Sequence, residues 1–528
     1  MNNAPRSIAA RVLIRIAVSL TVIAMSACAI APTEHPTERP GPGLERGGWM
    51  DRYFKYDGAY PYFVGFDLQQ LHADTNIDYE SKLDFLADYG VNKVRIWLNP
   101  SWFGLPGDYN YPTRGKILFP WRVDEASNRF DIDAWDPAFW ERTKDFLAYA
   151  RRKGIIVEIS LFTVQEPRDY FKAPGVSYPF HHRNNLQDFG RPTDPNGRFM
   201  LGFYDLEYTD NGLKLADYHK AYIDKALHEF RDFNHVYYEL INESPGPPGW
   251  VRKELPHGWM KHWIAYIAGK TGRIVTTQTS GFMNLRSDNE RAWASADFEH
   301  AGQRYWDDAN LDGFNFHLYS TNPDHISDAL TGYQLRGKML LCNEGALFYK
   351  IDKSPGYPDY GVQFRQEALL GEIRHAWGMM TAGGYYSMYF GPVPQLGDRA
   401  SREGARVMQA MRSIVEMTEF QNMRPVRPTG VEYDDLVTRG PGQYWQVIAD
   451  EGTSYIVYFW GDDANAAANI SLPESNYRFY WMDTRAKKTP LASGTIAVSD
   501  AGGVSISPPP PASWNREAGM VLVVRKQE

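Results

Sequence analysis

The sequence predicts a (β/α)8 barrel followed by a small antiparallel β-sandwich, and three observations carry that expectation. Between Tyr62 and Tyr389, short apolar runs alternate with segments of helical periodicity eight times, the count that a closed parallel barrel requires. Two of those runs, Val236–Asn242 and Lys338–Asn343, stop abruptly at a carboxylic acid, Glu243 and Glu344 respectively. In parallel sheets and barrels the C-terminal strand ends are where loops gather and chemistry is done. From about Arg427 the helical pattern ceases: the runs Tyr444–Ala449, Ser454–Trp460, Tyr477–Met482 and Met520–Arg525 are separated by turn clusters such as Gly461-Asp462-Asp463. That is the texture of a sandwich.

The elements follow in chain order. Asp57-Gly58 is a hairpin-type turn signal between Tyr53–Tyr60 and Pro61–Leu68, and the second of these supplies strand one. Ile77–Tyr89 has apolar residues at helical spacing and stops at Gly90. Strand two, Val94–Leu98, contains Arg95. A charge in a buried strand is costly unless paired, so Arg95 either has a carboxylate neighbour or lies on an edge facing solvent. Helix Pro137–Lys153 precedes strand three, Ile155–Leu161, and a long irregular segment then runs from Phe162 to Gly212 with His181-His182 and Asn184-Asn185 in it. Loops of that length in compact domains are usually lids or binding walls. The histidine pair lacks HExxH or comparable ligand spacing, so hydrogen bonding to substrate or to the loop backbone is expected of it rather than metal binding.

The amphipathic segment Leu215–Phe233 leads into strand four, which delivers Asn242 and Glu243. Trp250–Lys270 reads helical, Ile274–Gln278 is strand five and Gly313–Tyr319 strand six, where period two puts Asn315, His317 and Tyr319 on one face. Strand seven ends at Glu344, Gln363–Met380 is helical, and Gly384–Tyr389 is strand eight. Pro508–Pro511 is a loop, because four prolines do not fit a central strand.

The first residues read as an export address. Arg6, Arg11 and Arg15 precede an apolar stretch, Ile16–Met25, too short for a mature membrane helix. Met25-Ser26-Ala27-Cys28 resembles a bacterial lipobox, which implies lipidation of Cys28 and a membrane anchor; ordinary secretory cleavage near the same place is the alternative. The resulting division is residues 1–27 signal peptide, 28–48 flexible tether rich in Pro and Gly, 49–425 barrel and 426–528 sandwich. Ala29 stands where an Asp would resemble an inner-membrane retention signal, so the outer membrane is expected. Loss of residues 1–27 removes three arginines and no acid, taking the formal charge from -8 to -11. Such a balance disfavours nucleic acid as a partner. With Cys28 acylated, Cys342 has no partner for an intramolecular disulfide and reads as a small apolar strand residue. The 16 Trp and 33 Tyr would suit stacking on sugars, or equally a large core with hydroxyls at its edge.

With the strands placed, the pattern resembles the clan A glycoside hydrolases, retaining barrel enzymes with cellulase-like and mannanase-like members. The resemblance spans roughly residues 50–420. It rests on Asn242-Glu243 at the end of strand four and Glu344 at the end of strand seven, with Arg95 on strand two and His317-x-Tyr319 on strand six. It implies catalytic roles for Glu243 and Glu344 and substrate contacts from Arg95, Asn242, His317 and Tyr319. Two departures stand out: Leu161-Phe162 where the branch places a His, and Tyr386, Met388 and Tyr389 where it places a Trp. Tyr386, His181 and His182 are therefore further candidates for contact with the sugar. The implied reaction is a double displacement in which Glu344 attacks and Glu243 serves as acid and then base, and it needs no metal or organic cofactor. A non-catalytic glycan-binding lipoprotein and a transglycosylase using the same residues are the alternatives.

Overall fold

The computed structural model describes residues 43–99, 117–163, 179–191, 200–242, 254–278, 308–317, 337–344, 366–389, 396–397, 399–426, 436–438, 444–461, 467–485, 489–500, 502–509 and 518–527, with isolated positions 323, 326 and 330. Cys28, Glu243 and Tyr319 lie outside the described residues.

Eight parallel strands close into a barrel. They are β1 (Val64–Asp67), β2 (Lys93–Trp97), β3 (Ile156–Thr163), β4 (Val236–Asn242), β5 (Val275–Gln278), β6 (Gly313–Phe316), β7 (Met339–Cys342) and β8 (Tyr385–Tyr389). Closure is made by β8 pairing with β1, with Tyr386 opposite Val64 and Tyr389 opposite Asp67. Helices α1 (Tyr79–Asp88), α2 (Pro137–Arg152), α3 (Leu215–Glu229), α4 (Glu254–Thr271), α5 (Gln366–Thr381) and α6 (Arg399–Val415) accompany the strands. Their starts are written in the sequence. Asp78 accepts from the Ser81 backbone N–H at 3.2 Å, and Asp136, followed by Pro137 at the first helical position, accepts from Ala138 N–H at 3.0 Å. Among the described residues no helix is long and apolar enough to cross a membrane.

The segment before the barrel departs from the expected hairpin. Asp57 and Gly58 do form a tight turn, both at positive φ (49° and 82°), with Tyr56 and Ala59 exchanging backbone hydrogen bonds. The strand leading into that turn, Tyr53–Tyr56, pairs antiparallel along its whole length with Leu44–Gly47, while its pairing with the residues after the turn is a single bridge, Tyr56 with Ala59. Residues 44–47 therefore belong to the folded domain, and Leu44 is buried, although composition placed them in the tether. The pairing has a use. The Phe54 ring packs on Phe63, Tyr237 and Tyr385, and its backbone N–H donates to the Tyr385 hydroxyl at 2.8 Å. Tyr237 and Tyr385 stand near the starts of β4 and β8, so this contact covers the N-terminal mouth of the barrel. A second hairpin, Trp121–Asp124 with Arg129–Trp135, is inserted between β2 and α2.

The C-terminal region forms two antiparallel sheets. Its strands are β9 (Arg424–Val426), β10 (Val437–Thr438), β11 (Tyr444–Asp450), β12 (Ser454–Trp460), β13 (Ala468–Leu472), β14 (Ser475–Asp483), β15 (Ala492–Val498), β16 (Gly502–Ile506) and β17 (Met520–Lys526). They are ordered β9-β11-β12-β17-β14-β15 in one sheet and β10-β13-β16 in the other. Alternation along β12 divides the burial: Tyr455, Val457 and Phe459 face the core between the sheets, whereas Ile456, Tyr458 and Trp460 join the core of the barrel. Trp377 of α5 stacks on Tyr458 with ring centroids 5.9 Å apart, and Tyr458 stacks on Trp460 at 5.3 Å. Thr381 donates to Gln446, which donates to the Pro323 carbonyl, at 2.7 and 2.6 Å. The sandwich is thus docked through an apolar face in which Thr381 and Gln446 supply a short polar chain.

Candidate active site

The barrel interior is polar. Period two turns Lys93 and Arg95 of β2 to the same side, and both side chains are fully buried. Arg95 is therefore not an edge residue facing solvent. Room for Lys93 comes from Gly65 on β1, where a Cβ would lie 2.6 Å from Ser387 Oγ and 3.2 Å from Lys93 Cβ. Lys93 Nζ reaches Glu158 Oε2 at 2.7 Å, Asn343 Oδ1 at 2.8 Å and Ser387 Oγ at 3.0 Å. Glu158 also accepts from the Tyr237 hydroxyl and from the side-chain amides of Asn315 and Asn343, each at 2.7 Å. Burial pushes the Glu158 carboxyl up, but Lys93 and Arg95 outweigh it and hold the group below its ordinary value.

Arg95 organises the layer above. Its Nε and Nη2 both donate to Glu239 Oε2, at 2.9 and 2.6 Å, and Nη2 also donates to Asn242 Oδ1. Its Nη1 donates to Asp67 Oδ2 at 3.0 Å and lies 3.6 Å from Glu344 Oε1. Burial works against the Arg95 charge, but Glu239, Asp67, Glu158 and Glu344 together raise its pKa well above the ordinary value, so it is a fixed cation. Burial raises Glu239 despite Arg95.

At the rim, Glu344 follows β7 with its side chain 7 % exposed. Its Oε2 lies 3.4 Å from His317 Nδ1, and His317 immediately follows β6. The structure therefore gathers Arg95, Asn242, His317 and Glu344 from four different strands around one place. Asn242, anchored by Arg95, is the last residue of β4 and precedes Glu243 in the chain.

Other expectations land elsewhere. Tyr386 is fully buried and its hydroxyl bonds to Glu372 of α5, so it faces the helical layer. The reason is parity: on β8 it is Ser387 that meets Lys93, so its neighbour Tyr386 points the opposite way. His181 and His182 are held within their own loop. Their rings lie 4.8 Å apart, His182 Nδ1 is 3.6 Å from Asp188 Oδ1, and Arg129 donates to the His182 carbonyl. Burial lowers His181 to about 4, with the neighbouring His182 adding to it. Cys342 is buried, with Sγ 3.5 Å from His375 Nε2 on α5.

Sequence reading missed Asp67, Glu239, Glu158 and Lys93. A signal for them exists: each is a charge inside or at the end of an apolar barrel strand, as Arg95 is.

Fold and site together define a (β/α)8 barrel that presents a buried acid at its C-terminal rim, joined to a β-sandwich. No family model matches the chain, and no curated protein sequence matches it. Its architecture is nevertheless shared with solved structures. One is described as a glycoside hydrolase, at a TM-score of 0.56 and 12 % identity, covering 93 % of this chain and 99 % of that one. Another is a glycoside hydrolase family 5 structure from Bacteroides vulgatus, at a TM-score of 0.57 and 13 % identity, covering 93 % and 96 %. A third, a putative glycoside hydrolase from the same organism, has a TM-score of 0.54 and 16 % identity, covering 93 % and 84 %. The coverage shows that the likeness extends beyond the barrel to the whole two-part fold.

Proposed function

We propose that this protein is a retaining glycoside hydrolase acting on plant cell-wall poly- or oligosaccharides, with Glu344 as nucleophile and Glu243 as acid and then base. The observation that carries the reading is the setting of Glu344: a nearly buried carboxyl at the end of β7, 3.6 Å from the fixed cation Arg95 and 3.4 Å from His317. Attack by an ionised Glu344 on the anomeric carbon breaks the bond to the leaving oxygen, which takes its proton from Glu243. Water then attacks the same carbon, gives its proton to Glu243, and Glu344 leaves as a carboxylate. Arg95 stabilises the charge that Glu344 carries before attack and after release. In this reading Asn242, held by Arg95, hydrogen-bonds the hydroxyl beside the reacting carbon, and Tyr319 supports the nucleophile. The likeness to solved glycoside hydrolases supports the same class.

The test is a panel of plant polysaccharides and aryl glycosides with products resolved by chromatography. Glu344→Ala should lose turnover and regain product of inverted anomeric configuration with azide. An active Glu344→Ala without added anion would overturn the assignment. We further propose that the protein is exported and held by lipid on Cys28, on the outer membrane; Cys28→Ser should abolish palmitate incorporation and free the protein from the membrane fraction.

A further inference from the structure

Strand β7 stops pairing two residues before Glu344. Cys342 is its last ladder position, opposite Phe316 of β6 and Tyr386 of β8. Between Cys342 and Glu344 stands Asn343, fully buried, whose backbone N–H donates to the Phe316 carbonyl at 3.3 Å. Its side chain closes a ring. Lys93 Nζ donates to Asn343 Oδ1 at 2.8 Å, Asn343 Nδ2 donates to Glu158 Oε1 at 2.7 Å, and Lys93 Nζ meets Glu158 Oε2 at 2.7 Å, so each of the three groups touches the other two. A flipped amide would set N–H groups against the ammonium and an oxygen against the carboxylate, so a single orientation of Asn343 is selected. The other two members are pinned in turn, Lys93 by Ser387 Oγ at 3.0 Å and Glu158 by the Tyr237 hydroxyl and the Asn315 amide, each at 2.7 Å. The arrangement has a counterpart one layer higher: Asn242, immediately before Glu243, accepts from Arg95. Lys93 and Arg95 are alternate residues of β2, so one strand holds the asparagine that precedes each acid.

We propose that Asn343, clamped by the Lys93–Glu158 ion pair, is a positioning residue that sets where the Glu344 carboxyl stands. The assignment rests on the hydrolase reading and deepens it. Glu344 lies 3.6 Å from Arg95 Nη1 and 3.4 Å from His317 Nδ1. Arg95 is itself fastened to Glu239 and Asp67, so it does not follow a carboxyl that drifts. Those two distances therefore depend on where the chain leaves β7, and the ring fixes the residue one peptide before Glu344. A nucleophile has to approach in line with the bond it displaces, so an error in its position is felt in the transition state far more than in substrate binding.

Asn343→Ala is the test, because it opens the ring and leaves Arg95, His317 and both acids unaltered. On a substrate found in the panel, kcat should fall by about 10- to 100-fold with KM little changed, the loss that a displacement of about 1 Å produces. Asn343→Asp keeps the shape and the acceptor for Lys93 but removes the donor to Glu158, and it should show the same split without a lost side-chain volume. A clamp with a structural role alone would lower the urea midpoint of either variant and leave the kcat of the folded enzyme as in the wild type; that result overturns the proposal and leaves the hydrolase reading intact. A substrate-free measurement stands beside it. In a crystal structure of Asn343→Ala the Glu344 carboxyl should have moved by about 1 Å relative to Arg95 and His317. Unchanged distances to both overturn the positioning role even if no glycoside is ever turned over. A displaced Glu344 in a protein whose wild type is inert on the whole panel supports the positioning role and counts against the hydrolase reading alone.

Discussion

Replacing Lys93 by Met keeps the volume of the side chain and removes a cation from the centre of the barrel. Lys93 is fully buried and lies 2.7 Å from Glu158, itself fully buried. Breaking a buried pair from one side typically costs about 3–5 kcal/mol, because the remaining charge is left uncompensated. Here three neutral donors, Tyr237, Asn315 and Asn343, still serve Glu158. The cost is therefore expected near the lower end, about 3 kcal/mol at neutral pH. Its pH dependence identifies the cause. In the native protein Glu158 lies below its ordinary 4.5 and contributes stability that is present above that value and lost as pH falls through the lower, folded one. Without Lys93, burial dominates and the folded value rises, so the variant's deficit is greatest at neutral pH and shrinks as pH falls toward 4.5. Urea unfolding of both proteins from pH 4.5 to pH 8 reads the difference, and Lys93→Met with Glu158→Gln should recover part of the loss. A deficit of equal size at every pH would refute the electrostatic account and leave only lost packing.

Three further outcomes follow from the same geometry. Glu372, raised to about 8 by burial, binds a proton in the folded state that the unfolded chain releases above 4.5. Stability from this group accordingly declines as pH rises from 4.5 to 8, and Glu372→Gln should flatten that decline in a series of thermal melts. Trp377→Ala removes the ring on which Tyr458 stacks and should cost about 3–5 kcal/mol, read as earlier unfolding and faster proteolysis of the C-terminal sheets. Gly65→Ala sets a methyl 2.6 Å from Ser387 Oγ and should destabilise by about 1–3 kcal/mol in urea, with Ser387→Ala relieving part of the cost.

Much of this molecule is legible before folding. The eight barrel strands and the sandwich follow from periodicity, and Arg95 was readable as a buried charge in need of an acid. The identity of that acid was not readable. Glu239 sits in Val236–Asn242 among apolar neighbours, and Asp67 follows Phe66 at a strand end; local pattern does not say which strands will face one another across a closed interior. Tyr386 shows the limit of alternation. Both faces of β8 carry aromatics, so period two separates Tyr385 from Tyr386 without saying which face looks inward. The N-terminal hairpin fails for a different reason: Asp57-Gly58 announces its turn correctly, but the strand Tyr53–Tyr56 finds its partner in a stretch whose glycines and prolines read as linker.

The ion pairs of the barrel interior are unevenly distributed along the chain. Among the described residues Asp67, Lys93, Arg95, Glu158 and Glu239 all come from β1 to β4, whereas β5 to β8 and their ends answer them with the uncharged Thr276, Asn315, Asn343 and Ser387 and with one acid at the rim, Glu344. During synthesis the N-terminal half emerges first, and it brings with it both signs in contact-ready order. Its salt bridges can close while the remaining strands are still being made, and the later half adds amides and hydroxyls to the interior and the acid Glu344 to a rim where Arg95 already stands. A nascent chain built in this way never has to wait with a lone buried charge for a counter-ion that has yet to be translated.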